Sequence, residues 1–405
     1  MTTPNLKDHR EIGQEQDLFV HSSLVGGGLP LFTPKGTILR KQIHDFIEEL
    51  QKPLGYDEVW IPHMAKPELY KKSGHLQKYP EYFDVTSSAG DKFVLKPMDC
   101  PHHMMIFASK TRSYRQLPIA YKEFTTNYRD EQSGELNGLL RVRSLTIDDC
   151  HIFCREDQVL EEAQKVYKTI VDFYSAFNFK VRVRLSLRDE KHKDKYLGKP
   201  EAWSKAEKIV NLLGKQIKFE TIDGKGEAAF YGPKVDFMIK DILDREWQLA
   251  TIQIDCVLPE RLGIKYVDAT SQEIAPIVIH RAIAGSVERF IGILIEQYQG
   301  VFPLWLMPTQ AIILPITDKN LKYAQDISSK IAGAKIRTEI DDRHETLQAK
   351  IRDATLQKIP YLVIVGEKEE KAAKIAVRTR DGKDLGQIPL DNFTAKVNNE
   401  IANKT

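Results

Sequence analysis

One change of rhythm constrains this chain more than any other feature. Up to about residue 304, strand-like runs follow one another almost directly (KFVLKP, RVRSLTIDDCHIF, KVRVRLSL, KVDFMIKD, ATIQIDCVL), whereas from residue 311 onward strand-like and helix-like segments alternate. Successive strands usually pair antiparallel, because a parallel return needs a crossover of a dozen or more residues. The first region therefore reads as an α+β domain on one large antiparallel sheet, with a long amphipathic helix from Gly36 to Leu50 and surface helices at Glu156–Phe177 and Ala202–Leu213. In the second region AIILPI, IRTEID, YLVIVG and KIAVRTR read as strands. Leu321 to Ala332 and Thr346 to Lys358 read as helices, stopped by Gly333 and by the approach of Pro360. That alternation implies a small α/β domain whose mostly parallel sheet is covered on both faces. Between the two regions VFPLWLMPTQ brackets its apolar residues with Pro303 and Pro308, which places the boundary there: domains 1–304 and 305–405.

With 405 residues, 42% hydrophobic and 29% charged, the chain can fill two such cores. Its first residues, MTTPNLKDHREIGQEQDLF, mix charges and lack the apolar run of a secretory leader, and no later stretch has the roughly eighteen uninterrupted apolar residues of a membrane span. Cys100, Cys150, Cys154 and Cys256 are few and far apart, which points to reduced thiols and not to a disulfide scaffold. A cytoplasmic enzyme is expected. The net charge of +2 leaves a nucleic-acid partner undecided, since such a partner needs a local basic face and not a basic total.

The densest chemistry lies in YRDEQSGELNGLLRVRSLTIDDCHIF, from Tyr128 to Phe153. In an extended strand every second side chain shares a face, so Arg129 pairs with Glu131, Arg141 with Arg143, and Asp149 with His151. QSGELNG between them has the Gly, Ser and Asn of a loop joining antiparallel strands. Several arginine forks on one face would cradle a nucleotide's phosphates. The same alternation also describes a solvated strand laced with ion pairs. A second cluster, VIHRAIAGSVERFIGILIEQY, passes from strand to helix through AGS and sets Arg289 in the helix's first turns, where the dipole and free amides favour anions. Read alone, such a segment is more often just a capped core helix.

No CxxC or HExxH is present. Alternation puts Cys150 on the face opposite His151, so a metal site needs partners from elsewhere, and Cys100 in KPMDCPHHMMIF and His280 in VIHR are candidates. A Cys-His-His set would hold zinc with one tetrahedral position free.

Taken together these segments resemble a known family. GYDEVWIPHM, YRDEQSGELNGLLRVR and GSVERF are similar to the three signature motifs of class II aminoacyl-tRNA synthetases, and KPMDCPHH, DDCHIFC, FYGPKVDF and VIHRAIAGSVERF narrow the resemblance to the threonyl-tRNA synthetase family, from about residue 8 to the end of the chain. The resemblance implies a catalytic domain on an antiparallel six-stranded sheet flanked by helices, followed by an anticodon-binding domain. It implies a threonine–tRNA ligase that forms threonyl-adenylate and pyrophosphate from threonine and ATP, then loads tRNA(Thr). It also implies a homodimer, one Zn²⁺ per subunit and Mg²⁺ with ATP. The family's editing region is absent from this sequence, which leaves three expectations open: a separate trans-editing protein as partner, tolerance of errors, or a shortened sequence.

Residue by residue, the resemblance implies that Cys100, His151 and His280 hold the zinc and that Asp149 accepts the threonine hydroxyl proton. Arg129 matches the contact to the ATP α-phosphate and the substrate carboxylate, Glu131 and Arg141 match nucleotide contacts, and Arg289 matches the γ-phosphate contact. Tyr231, Lys234, Gln253 and Ser286 match residues of the threonine and adenylate pocket, and His75 matches a histidine assisting the tRNA 2′-hydroxyl, a role suited to an imidazole titrating near neutral pH. In the C-terminal domain His344, Arg378 and Arg380 fall in segments similar to the anticodon-reading surface. Ile147 stands where many relatives carry glutamine, and Cys150 replaces a usually small residue.

Overall fold

The computed structural model describes residues 6–79 and 81–404, so the first five residues of the charged N-terminal segment lie outside it. The chain divides into two compact units. The larger comprises His21–Pro30 and His44–Ile293; the smaller comprises residues up to Val20, Leu31–Ile43 and Leu294 onward.

The larger unit is built on eight strands: β1 (Asp57–Glu58), β2 (Ile119–Tyr128), β3 (Ser144–Cys154), β4 (Lys180–Leu187), β5 (Glu220–Lys225), β6 (Lys234–Lys240), β7 (Glu246–Asp255) and β8 (Ile277–Ser286). Their order is β5-β4-β6-β7-β8-β3-β2-β1. The inner six, β4 to β2 in this order, are antiparallel as expected, but β5 and β1 join the two edges in parallel, so the sheet is eight-stranded and mixed. Both edge strands reach their neighbours through long helical connections, which is what a parallel pairing requires. β5 follows the helix Pro200–Gly214, and β1 precedes β2 by some sixty residues of helices and small strands.

The longer helices are α1 (Pro34–Gln51), α2 (Cys100–Ala108), α3 (Val159–Ser175), α4 (Pro200–Gly214) and α5 (Val287–Tyr298). α3 and α4 bury their apolar stripes, including Val166, Ile170 and Phe173 of α3 and Trp203, Val210 and Leu213 of α4. Phe173 stacks on Phe46 and lies tilted against Phe290 in an aromatic cluster.

The smaller unit carries β9 (Ala311–Pro315), β10 (Thr338–Ile340), β11 (Tyr361–Val365), β12 (Ile375–Thr379) and β13 (Asp384–Ile388) with α6 (Leu321–Gly333), α7 (Leu347–Leu356) and α8 (Leu390–Ala402). Alternate residues of β9 face different cores: Ala311 and Ile313 pack with α6 and α8, and Ile312 and Leu314 with Ala354 of α7. Both faces are therefore covered. The sheet, ordered β10-β9-β11-β12-β13, is parallel only at β10/β9 and β9/β11. β12 and β13 pair antiparallel, because the connections before them are too short for a crossover.

Candidate active site

The site is assembled on one row of the large sheet. Strand registers set His151 of β3 opposite His280 of β8, His280 opposite Gln253 of β7, and Gln253 opposite Lys234 of β6. Directly opposed residues on antiparallel neighbours project to one face. One pleat along, Asp149 opposes Ala282, and Ala282 opposes Thr251; the small alanine leaves space between them. With Cys100 at the start of α2, these residues line a cavity of about 360 Å³, whose walls also include Arg129, Glu131, Arg141, Tyr231, Ser286 and Arg289.

The ligand atoms of Cys100, His151 and His280, all buried, lie within 4.8 Å of one another. Each imidazole is held from behind: His280 Nε2 is 2.9 Å from Asp255 Oδ2, and His151 Nδ1 is 2.9 Å from Nδ1 of His103. One ring nitrogen is thus fixed and the other left for the cavity, as in the histidines that proteins orient toward metals. Burial pushes the Cys100 thiol well above its ordinary range and the His151 imidazole well below it.

His75 is fully buried. It sits behind Cys100, with Nε2 3.5 Å from the sulfur and Nδ1 2.7 Å from Ser73 Oγ, and the rings of Tyr70, Tyr79, Phe230 and Tyr231 surround it. Burial, then the neighbouring His280, lowers its pKa to about 3.

The phosphate-facing wall also forms differently from the strand alternation. β2 ends at Tyr128 and β3 begins at Ser144, so Arg129, Glu131, Arg141 and Arg143 belong to the connecting loop, where a period of two has no meaning. Hydrogen bonds gather them instead. Arg141 Nε donates to Glu131 Oε2 (2.7 Å), Arg143 Nε donates to the Glu131 carbonyl (3.0 Å), and the Arg129 amide donates to the Arg143 carbonyl (2.9 Å). Arg289 Nε donates to the Leu140 carbonyl (2.9 Å), and its amide to Ser286 Oγ (3.3 Å). Burial, then the like charges of Arg129 and Arg141, lower the Arg289 guanidinium. Three cations crowding one wall are relieved by a polyanion. On the opposite side Tyr231 Oη donates to Gln253 Oε1 (2.6 Å), and Lys234 Nζ lies 3.0 Å from Asp236 Oδ2.

The chain's likeness to known proteins agrees with this geometry. Residues 83–298 match the tRNA synthetase class II core domain (G, H, P, S and T), and residues 310–400 match an anticodon binding domain. The RNA binding domain of threonyl-tRNA synthetase from Cryptosporidium parvum superposes with a TM-score of 0.91 at 33% identity, over 97% of this chain and 98% of that one. The chain belongs to the threonyl-tRNA synthetase family. A second solved structure, described as a putative threonyl-tRNA synthetase from Aeropyrum pernix, gives a TM-score of 0.83 at 26% identity, over 98% of this chain and 97% of that one. A threonine–tRNA ligase of Chloroherpeton thalassium is 47% identical over 98% of this chain, which spans 62% of that relative's length.

Several residues that support the site in this family member carry no periodic or motif signal by themselves. Asp255 and His103 orient the two histidines, and Glu123 Oε2 stands 3.7 Å behind His103. Asp99, next to Cys100, accepts from buried Lys96 (2.8 Å) and from Asn127 Nδ2 (2.8 Å). Burial raises Asp99 to about 7 and Asp149 to about 6. The paired histidines of PHHMM and the doubled aspartate of DDC were visible hints, but which member faces the site depends on strand parity and helix rotation.

In the smaller unit, His344 has an 86% exposed side chain with Nδ1 3.2 Å from Asp318 Oδ2, and Arg378 is exposed. Arg380 is half-buried, and its Nη1 donates to the Phe302 carbonyl at 2.9 Å. Among the described residues no helix is long and apolar enough to cross a membrane.

Proposed function

We propose that this cavity activates threonine with ATP and passes it to tRNA(Thr), so that the protein acts as a threonine–tRNA ligase. One observation carries the reading: a Cys-His-His donor set within 4.8 Å lies in the same cavity as the Arg129 and Arg289 guanidinium groups. The donor set fits zinc, since one thiolate and two back-supported imidazoles fill three tetrahedral positions. When bound there, Zn²⁺ would supply a Lewis-acid anchor for the amino and hydroxyl groups of threonine.

Asp149, one pleat from His151, accepts the hydroxyl proton. Valine, nearly isosteric, leaves this carboxylate without its donor, and a buried group left unpaired rejects a substrate far more strongly than an apolar pocket rejects a shape. Serine meets the same hydroxyl test. Arg129 holds the carboxylate against the α-phosphate, while Glu131, Arg141 and Arg289 hold the nucleotide, with Mg²⁺ accompanying its phosphates. A carboxylate oxygen then attacks the α-phosphorus as the bond to the bridging oxygen breaks and pyrophosphate leaves, so the residues act by positioning and by meeting developing charge. Tyr231, Gln253, Lys234 and Ser286 line the pocket that orients the amino acid and the adenylate. For the transfer step His75, by its match to the family histidine, assists attack of the tRNA 2′-hydroxyl on the adenylate.

The smaller unit would bind the anticodon region, with His344, Arg378 and Arg380 as the candidate contacts and the domain division at 304/305. The working protein would be a cytoplasmic homodimer. Threonine-dependent ATP–pyrophosphate exchange tests the reading: exchange with threonine, weaker exchange with serine, none with valine, and loss on zinc removal with recovery on readdition. Absence of threonine-dependent exchange in the zinc-loaded protein would overturn it.

A further inference from the structure

The arginines facing the cavity repel one another, and what holds Arg289 against that repulsion lies outside the cavity lining. The Arg289 guanidinium carbon is 5.6 Å from the ring centroid of Trp247, which sits at the start of β7. The Arg245 guanidinium carbon is 5.3 Å from the same centroid. Trp247 is itself fixed, because its indole Nε1 donates to Asp241 Oδ2 at 2.7 Å. The same oxygen accepts from Arg245 Nε at 2.7 Å, while Asp241 Oδ1 accepts from the amides of Leu243 and Arg245, both at 2.9 Å. One buried carboxylate therefore locks the whole turn between β6 and β7 and sets the plane of the indole. The attraction of a guanidinium to an aromatic face extends to about 6 Å and is strongest for tryptophan.

We propose that Trp247 is a positioning residue for the triphosphate-facing arginine: its ring, oriented by Asp241, holds the Arg289 fork ready before the nucleotide arrives. The residue touches no substrate. Its effect runs only through Arg289, and the inference rests on the reading of Arg289 as a triphosphate contact. Without the ring, the fork keeps the Leu140 carbonyl and the attraction of Glu131 and is pushed by Arg129 and Arg141.

The test uses the zinc-loaded full chain and measures ATP–pyrophosphate exchange for Trp247→Leu, Trp247→Phe, Arg289→Ala and the double variant Trp247→Leu/Arg289→Ala, together with equilibrium binding of ATP and AMP. Trp247→Leu is expected to raise the KM for ATP about tenfold, in keeping with a partly desolvated cation–π contact. The KM for threonine and the affinity for AMP should stay unchanged, and Trp247→Phe should recover part of the loss. In the Arg289→Ala background Trp247→Leu should add nothing to the ATP KM, whereas a merely structural role would add its full effect there and weaken AMP binding as well. If Arg289→Ala raises the ATP KM and neither Trp247 variant does, the inference is wrong. If Arg289→Ala itself leaves the ATP KM unchanged, the fault lies in the functional reading of that arginine.

Discussion

Asp255 holds a ring nitrogen of His280 at 2.9 Å while the other nitrogen is left for the cavity. Removing the charge but not the shape, Asp255→Asn should weaken zinc binding about 10- to 100-fold, read by competition with a chromogenic chelator. A changed affinity of less than about twofold would remove Asp255 from the site. On the far face of the same strand pair, Arg281 Nη1 donates to Asp148 Oδ2 at 2.8 Å, with both side chains nearly sealed from solvent. Arg281→Met leaves the carboxylate with the Ile283 and Ala284 amides but without its counter-charge, and should cost roughly 3 kcal/mol in urea denaturation, the low end for breaking a buried pair by removing one partner. Residues such as Asp149 and His151 were legible in the sequence because alternation along one strand fixes their common face. Asp255, His103 and Trp247 were not, because they act across strands or from a helix, and no local pattern records which distant side chain they will meet.

The junction of β8 and α5 illustrates what an element must tolerate to carry chemistry. Gly285 has φ +66°, and a Cβ there would lie 2.6 Å from the Leu249 carbonyl oxygen. Gly285→Ala should therefore destabilise the fold on the order of 2 kcal/mol or more and shift Ser286 and Arg289 with it, lowering exchange activity beyond what the loss of folded protein explains. After β10, the carboxyl of Asp341 is held below its ordinary range by the hydrogen bond from Arg343. A depressed carboxylate stabilises the fold above its unfolded pKa and ceases to do so as pH falls through the folded one. Asp341→Asn should thus cost about 1 kcal/mol at neutral pH, a modest figure because Arg343 is half exposed, with the difference vanishing in acid below the ordinary carboxylate range. A constant difference across pH would exclude the charge as its source. At this scale the sequence was readable where periodicity ran uninterrupted: the helix expected at Gly36–Leu50 is Pro34–Gln51, and that at Leu321–Ala332 is Leu321–Gly333. It was unreadable at sheet edges. The two parallel edge strands and β13 are short, and pairing direction is decided by connections whose path no local pattern specifies.

For the whole molecule, the proposed homodimer makes a prediction of mass: sedimentation equilibrium at micromolar concentration should return twice the 46.4 kDa of the chain. Trp60, 76% exposed in the segment similar to the first synthetase motif, should be covered in that assembly, so Trp60→Glu should shift the distribution toward monomer. A wild-type chain that stays monomeric would exclude the dimer. The two-part rhythm of the sequence anticipated the two family matches, since each domain class needs its own alternation of strand and helix. The compact units do not follow it cleanly, because residues up to Val20 and Leu31–Ile43 fold with the C-terminal unit. Contacts between segments so distant along the chain leave no composition shift to read. The same distance bears on biosynthesis. β3 and β8 bring His151 and His280 together from positions well over a hundred residues apart, with β7 completing the row. On the proposed reading, a polypeptide still emerging from the ribosome offers zinc an incomplete donor set until β8, which carries His280, has left the exit tunnel.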